Sequence, residues 1–223
     1  MFASVTSVAL VGVEPQPVRV EVHVAGPRER FTIVGLPDTA VREARQRVWA
    51  ALSSSGFRLK ARSITVNLSP ADLPKGGSAY DLPIALGLLA ANGTVRAADV
   101  DVVALGELAL DGHIRPVVGG LGAALVAART GKRCLLADGT GDAWASGAEV
   151  TTVADLAEAG AVLRGAEAGR RPDRPAPPAH RGPDLAALRG QVEGRRALEI
   201  AAAGGHHLLF TGPPGAGKTM LAR

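Results

Sequence analysis

The sequence predicts an α/β (α+β) protein, with a two-layer domain built on a mixed sheet and the opening of a phosphate-binding-loop domain behind it. Three observations carry that expectation. Strictly alternating apolar and polar runs, of which Val18-Arg-Val-Glu-Val-His-Val24 is the clearest, mark half-buried strands. Helical stripes fall between them, and hairpins mixed with crossover helices suit a two-layer mixed sheet. Near the end, Gly212-Pro-Pro-Gly-Ala-Gly-Lys-Thr219 fits the G-x-x-x-x-G-K-[ST] pattern in full.

In chain order, Met1 to Gly12 reads as a first strand that pairs with 18–24 across Gly12-Val-Glu-Pro-Gln-Pro17, whose prolines suit a turn. Phe31 to Val34 is a third strand, expected to complete a small antiparallel sheet. Asp38 is the expected N-cap of a helix with Val41, Ala44, Val48, Ala51 and Leu52 on its apolar stripe and Gly56 as its stop. Arg42, Arg45 and Arg47 fall mostly off that stripe and read as a solvated face. Ser63 to Leu68 alternates as a strand, and a helix runs from Asp81 through Ala91 with Pro83 tolerated in its first turn. Val102–Leu110 and His113–Val117 form a hairpin around Asp111-Gly112. A helix over 120–128, strands over 134–137 and 150–153, and a helix over 154–163 complete the first domain, 1–164. The Pro/Arg-rich segment 165–183 cannot bury a core and reads as a semi-extended linker. The second domain begins at Asp184, with a helix from about Gly190 to Ala203 and a short buried strand at Leu208-Leu-Phe-Thr211.

Composition narrows the class. An apolar share of 47% with only 3% aromatic residues describes a core of Val, Leu, Ile and Ala. The single cysteine, Cys134, excludes an internal disulfide framework and lies in an apolar run that favours packing over reactivity. No apolar run approaches the length of a membrane span, and the N-terminal stretch lacks the basic flank of a signal sequence, so a cytoplasmic protein without a membrane role is expected. Residues 1–164 carry 16 basic and 16 acidic side chains and residues 165–223 carry 9 and 5, so the whole net charge of +4 belongs to the second part. The first domain therefore shows no bulk electrostatic signature of nucleic-acid binding.

The 212–219 motif supplies chemistry. Its glycines let the backbone turn tightly and direct N–H groups at phosphate oxygens. Gly212, Pro213, Pro214, Gly215, Ala216 and Gly217 form the cradle, Lys218 reaches the β- and γ-phosphates, and the Thr219 hydroxyl ligates Mg²⁺. ATP and Mg²⁺ are the expected ligands. The lysine is informative because only four lysines (60, 75, 132 and 218) stand against 21 arginines. The acidic site, further sheet and water-positioning group of such a fold do not follow within the chain, so an unfinished second domain, silent in catalysis by itself, is expected. His206-His207 reads as a strand pair pointing to opposite faces, which cannot chelate one metal.

Ser78 in Lys75-Gly-Gly-Ser78 follows glycines at a helix start, as nucleophilic serines do, and needs a base. Here the chain resembles the Lon-type Ser/Lys protease fold, of the ribosomal S5 domain 2-like class. Pro74 to Ala79 is similar to the nucleophile segment, and Gly106 to Leu121 to the segment that leads to the dyad lysine. That lysine would follow Gly-Gly-Leu, where this sequence has Gly122. A serine without its base is a poor nucleophile, so Ser78 is expected to be a helix cap or structural residue and the domain not to be a protease.

Met1-Phe-Ala-Ser-Val5, Ile33-Val-Gly-Leu-Pro-Asp38, Val66 to Lys75, Tyr80-Asp-Leu-Pro-Ile-Ala85 and Arg195 to Leu209 together resemble the YifB/ComM family of Mg-chelatase-like AAA+ ATPases. The resemblance implies a hexameric ring motor and, for the ComM branch, branch migration or helicase action on DNA in transformation and recombination. It also implies that Gly190-Gln191 precedes the phosphate loop as an adenine-cradling element. Two other functions follow from the same residues. One is a non-enzymatic oligomerisation or partner-binding module, and the other is a chelatase-type ATPase.

Overall fold

The computed structural model describes residues 1–26, 30–59, 63–166, 169–172, 184–187 and 189–222. The chain divides into two compact units, Met1–Pro175 and Ala176–Arg223.

In the first unit, β1 (Phe2–Val11), β2 (Glu14–Ala25), β3 (Arg30–Val34), α1 (Thr39–Ser54), β4 (Ser63–Ser69) and α2 (Asp81–Ala91) come first. They are followed by β5 (Val102–Leu105), β6 (Glu107–Leu108), β7 (Ile114–Arg115), α3 (Gly120–Thr130), β8 (Arg133–Ala137), β9 (Val150–Val153) and α4 (Leu156–Leu163). Seven strands form one sheet in the order β3-β4-β2-β1-β5-β8-β9, and β6-β7 forms a separate ribbon. Antiparallel pairing is confined to β1/β2 and β2/β4, and the other neighbours in the large sheet are parallel. The fold is thus α/β with a mixed, mostly parallel sheet.

Local sequence accounts for most of these elements. Val18, Val20, Val22 and Val24 of β2 are all buried while Arg19 and His23 face outward, as the period of two requires. Asp38 caps α1 by accepting from the Val41 N–H at 2.7 Å. α2 is buried along its whole length, sandwiched by sheet and helices. Its Gly87 is what permits that closeness, since a Cβ there would lie 2.6 Å from Val22 Cγ2. Cys134 is buried, and burial pushes its thiol up to about 12, which leaves it inert.

Several expectations are corrected. β3 does not extend an antiparallel sheet. It pairs in parallel with β4 at the sheet edge, because α1 serves as the crossover that parallel neighbours require. Pro15 and Pro17 belong to β2 and not to the turn. They oppose β1 residues, while β4 pairing begins only at Arg19, so their missing N–H groups fall on an open edge. The predicted 102–117 hairpin is two structures: β5 joins the large sheet, and only β6-β7 forms the ribbon around Asp111-Gly112.

The two-layer expectation also needs a third layer. α1, α2 and α4 pack on one face, with Val5, Val20, Val66 and Leu135, while α3 packs on the other against Val8, Val103, Cys134 and Leu136. The strands joined through α1, α2 and α3 are parallel and step across the sheet in one direction. The crossover through α3 therefore has the opposite hand to those through α1 and α2, so the fold departs from the usual uniform right-handedness.

In the second unit, a short 3₁₀ turn at Leu185–Ala187 precedes α5 (Val192–Gly204) and the one-turn helix α6 (Lys218–Leu221). The run 208–211, expected as a buried strand, has no strand partner among the described residues, and Leu209 is 84% exposed. A strand needs a neighbour's N–H and C=O groups, and the described residues of the unit supply none. His206 and His207 therefore do not occupy the strand geometry expected of them.

Candidate phosphate-binding site

The 212–219 loop turns on Gly215 and Gly217, both at φ +80°, a left-handed conformation that side-chain-bearing residues rarely adopt. Gly217 caps α6, so the loop runs directly into the helix that starts at Lys218. The Lys218 ammonium folds back over the loop and donates to the carbonyls of Gly212 at 2.6 Å and Pro213 at 2.7 Å. It thus holds its charge at the loop while remaining partly accessible. Thr219, the second residue of α6, is exposed.

Gln191, far back in sequence, meets this loop, and Gly190 precedes Gln191 at φ +75°. The Gln191 side-chain amide donates to the Ala216 carbonyl at 2.8 Å, and Gln191 caps α5 with φ +52°. Gly194 lets α5 approach α6, since a Cβ there would lie 2.8 Å from Leu221 Cδ1, and Leu221 is the buried side chain of this contact. The structure therefore gathers the sequence-predicted residues into one constellation. Glycine-directed amides, one ammonium and one exposed hydroxyl form a donor set suited to a polyphosphate and its counter-cation.

The protease-like residues of the first unit are engaged otherwise. Ser78 Oγ donates to Glu107 Oε2, whose other oxygen accepts from Arg115 at 3.4 Å. Ser78 is not the cap of α2. Tyr80 holds that position, and the Asp81 N–H bonds the Ser78 carbonyl at 3.2 Å. Lys75 is buried and donates to the Pro70 carbonyl, and burial lowers its pKa against the opposing pull of Asp72. No hydrogen bond joins Lys75 to Ser78. At Gly122 a Cβ would stand 3.0 Å from Pro15 Cβ and 3.2 Å from Leu10 Cδ2, so any side chain there would press on the β1–β2 hairpin.

One interaction was not expected from the sequence. Arg47, read as part of a solvated face, reaches instead into the core. It grips Asp81 through two hydrogen bonds of 2.6 and 3.0 Å and donates to the Ala40 carbonyl at 3.0 Å. The Asp81 side chain is fully buried and also accepts from the Leu108 N–H at 3.2 Å. Burial pushes Asp81 up to about 6 despite the adjacent guanidinium, and Asp81 in turn raises Arg47 further. The signal available in the sequence was a carboxylate at the head of an otherwise apolar helix.

Comparisons with known proteins now fall into place on this geometry. Residues 20–139 match the family model described as subunit ChlI of Mg-chelatase, and residues 184–223 match the one described as magnesium chelatase, subunit ChlI. Both the α/β unit and the phosphate loop are thus of magnesium-chelatase type. Among curated relatives, YifB of Salmonella typhimurium is 45% identical over 227 residues, covering 99% of this chain and 44% of its own length. YifB of Escherichia coli K12 is 46% identical, with 96% and 43% covered. The competence protein ComM of Haemophilus influenzae is 40% identical over 246 residues, with 99% and 45% covered. The chain belongs to the YifB/ComM family of magnesium-chelatase-like proteins. It spans less than half the length of these relatives.

Proposed function

We propose that this chain is the N-terminal part of an AAA+ motor that binds ATP with Mg²⁺ and works on DNA. The observation that carries the reading is the joint placement of Lys218, the Gly215/Gly217 turn and Gln191 around one loop. Gly212, Gly215, Ala216 and Gly217 would offer backbone N–H groups to the phosphates, and Lys218, bonded here to two loop carbonyls, would turn to β- and γ-phosphate oxygens. Gly190 and Gln191 border the adenine side. The Thr219 hydroxyl would hold Mg²⁺, which would supply neutralisation of phosphate charge. The cradle fits both ligands in donor type, since it offers N–H groups, an ammonium and a free hydroxyl.

In this reading 1–164 is a Lon-protease-like domain without protease chemistry, 165–183, most of which lies outside the described residues, is a linker, and 184–223 belongs to the ATPase domain. The neighbourhood of Gly122 supports the loss of peptidase function, because any side chain there would press on Leu10 and Pro15. The competence role in the name of the Haemophilus relative supports DNA as substrate. Branch migration or unwinding is the proposed work, and a hexameric ring the proposed assembly. No helix among the described residues is long and apolar enough to cross a membrane, in keeping with action in the cytoplasm.

The test is ATP hydrolysis with and without DNA by a protein of the relatives' length that carries this chain. DNA-stimulated hydrolysis that Lys218→Ala abolishes is expected. Undiminished DNA-stimulated turnover in that variant would refute the reading.

A further inference from the structure

α1 buries Val41, Ala44, Val48, Ala51 and Leu52 and turns Arg42, Arg45 and Trp49 to solvent. These three recur at spacings of three and four, so they lie along one stripe about 10 Å long. Trp49, 39% exposed, walls an open pocket of about 260 Å³ whose other walls include Ser53, Phe57 and Arg58. Phe57 packs inward beside Gly160, which fixes its ring as a firm floor. In a chain with so few aromatic residues, two rings facing one open pocket is a concentrated feature.

The arginines around it are uncommitted. Elsewhere in the unit Arg19 bonds Ser4, Arg47 bonds Asp81, Arg96 bonds Asp99 and Arg115 bonds Glu107. Arg42, Arg45 and Arg58 make no side-chain hydrogen bond or ion pair with any described residue, and Glu43 is the only carboxylate on α1. An exposed aromatic ring, here Trp49, beside unpaired guanidinium groups is what single-stranded nucleic acid needs. A base stacks on the ring, and the cations neutralise successive phosphates. A protein partner would have to strip water from three unpaired charges, Arg58 at the pocket and Arg42 and Arg45 along the stripe, which runs against the depletion of charge at protein interface cores.

We infer that the α1 face of Arg42, Arg45 and Trp49, with the adjoining Phe57–Arg58 pocket, is a contact for single-stranded nucleic acid. This rests on the DNA-directed reading above and gives the first unit a share in substrate binding. The zero net charge of residues 1–164 is no obstacle, because the site works by local placement of cations.

The experiment is fluorescence anisotropy of a labelled oligothymidylate with this chain across a salt series. Trp49→Ala weakens binding about tenfold, and Trp49→Phe keeps most of it. Arg45→Glu weakens binding and lowers the slope of log affinity against log salt by about one. Arg129→Glu, an equal charge change on α3 at the other sheet face, leaves affinity near the wild-type value. Melting temperatures read the folding of each variant, and binding is measured well below the melting of Trp49→Ala, because Trp49 is only 39% exposed. The inference is overturned if the wild-type chain does not bind the oligonucleotide or if the patch variants bind as wild type. It is also overturned if Trp49→Ala alters only self-association in sedimentation, which would make the face a protein contact. None of those outcomes touches the DNA-directed reading, which fails separately if DNA does not stimulate hydrolysis through Lys218.

Discussion

Arg47→Met is the most informative perturbation of the first unit, because the structure fixes what it leaves behind. The substitution keeps the aliphatic stem and removes three hydrogen bonds, two of them to a carboxylate with no solvent exposure. Asp81 would then retain only the Leu108 N–H at 3.2 Å. An unpaired buried charge of this kind costs about 3–5 kcal/mol. The carboxyl has one escape, which is to take up a proton. Because Asp81 already titrates at about 6, neutralising it at pH 7 costs about 1.4 kcal/mol. The lost hydrogen bonds add about 1 kcal/mol each. The loss should therefore be about 4 kcal/mol at pH 7, or about 8–16 °C in Tm for a unit of this size. At pH 5 the wild-type carboxyl is already largely protonated, so the loss should shrink. Urea unfolding at the two pH values, followed by circular dichroism, measures both. A loss below about 1 kcal/mol at pH 7, or the same loss at both pH values, would refute the reasoning.

Other outcomes follow from the same structure. Since the folded Asp81 holds its proton up to about 6 and an unfolded aspartate only to about 3.9, Asp81 favours the folded state at low pH. That contribution falls as pH rises from about 4 to 6, by about 3 kcal/mol in all, and is then level. Comparing wild type with Asp81→Asn across that range reads it directly. Gly122→Lys should yield no peptidase activity on casein and should cost about 1–3 kcal/mol, because its Cβ meets Pro15 and Leu10. Peptide cleavage by that variant would show the protease site to be one residue from function. Gln191→Ala removes the amide that braces Ala216 and should weaken nucleotide binding several-fold while leaving the melting of the first unit unchanged. Equal nucleotide affinity would separate Gln191 from the site.

Where the sequence was legible, a local rule decided the outcome. The bounds of α2, the Asp38 cap and the inward valines of β2 each follow from spacing or capping chemistry that needs no distant partner. The tight turn over 212–217 and the helix start at Lys218 were equally open to reading, since they rest on glycines within eight residues. What was hidden depends on long-range placement. Parallel pairing of β3 with β4 and the position of α3 on the opposite face are decided by how crossovers run, which alternation does not encode. Arg47 was read as solvated because its place on the helical wheel is polar. Its partner, Asp81, lies 34 residues away, and only packing of α1 on α2 brings them together. The 208–211 run shows the converse, a strand-like pattern without neighbours among the described residues to satisfy it.

The central claim is that the Gly212–Thr219 loop holds the phosphates of ATP through Lys218. Equilibrium binding of a fluorescent ATP analogue with Mg²⁺, measured on a protein of the relatives' length carrying this chain, tests it most directly. The account predicts saturable binding that unlabelled ATP displaces and that Lys218→Ala weakens at least about tenfold, as expected for loss of a charge-assisted contact to phosphate. Wild-type affinity in Lys218→Ala, or no binding by the unaltered protein, would contradict it.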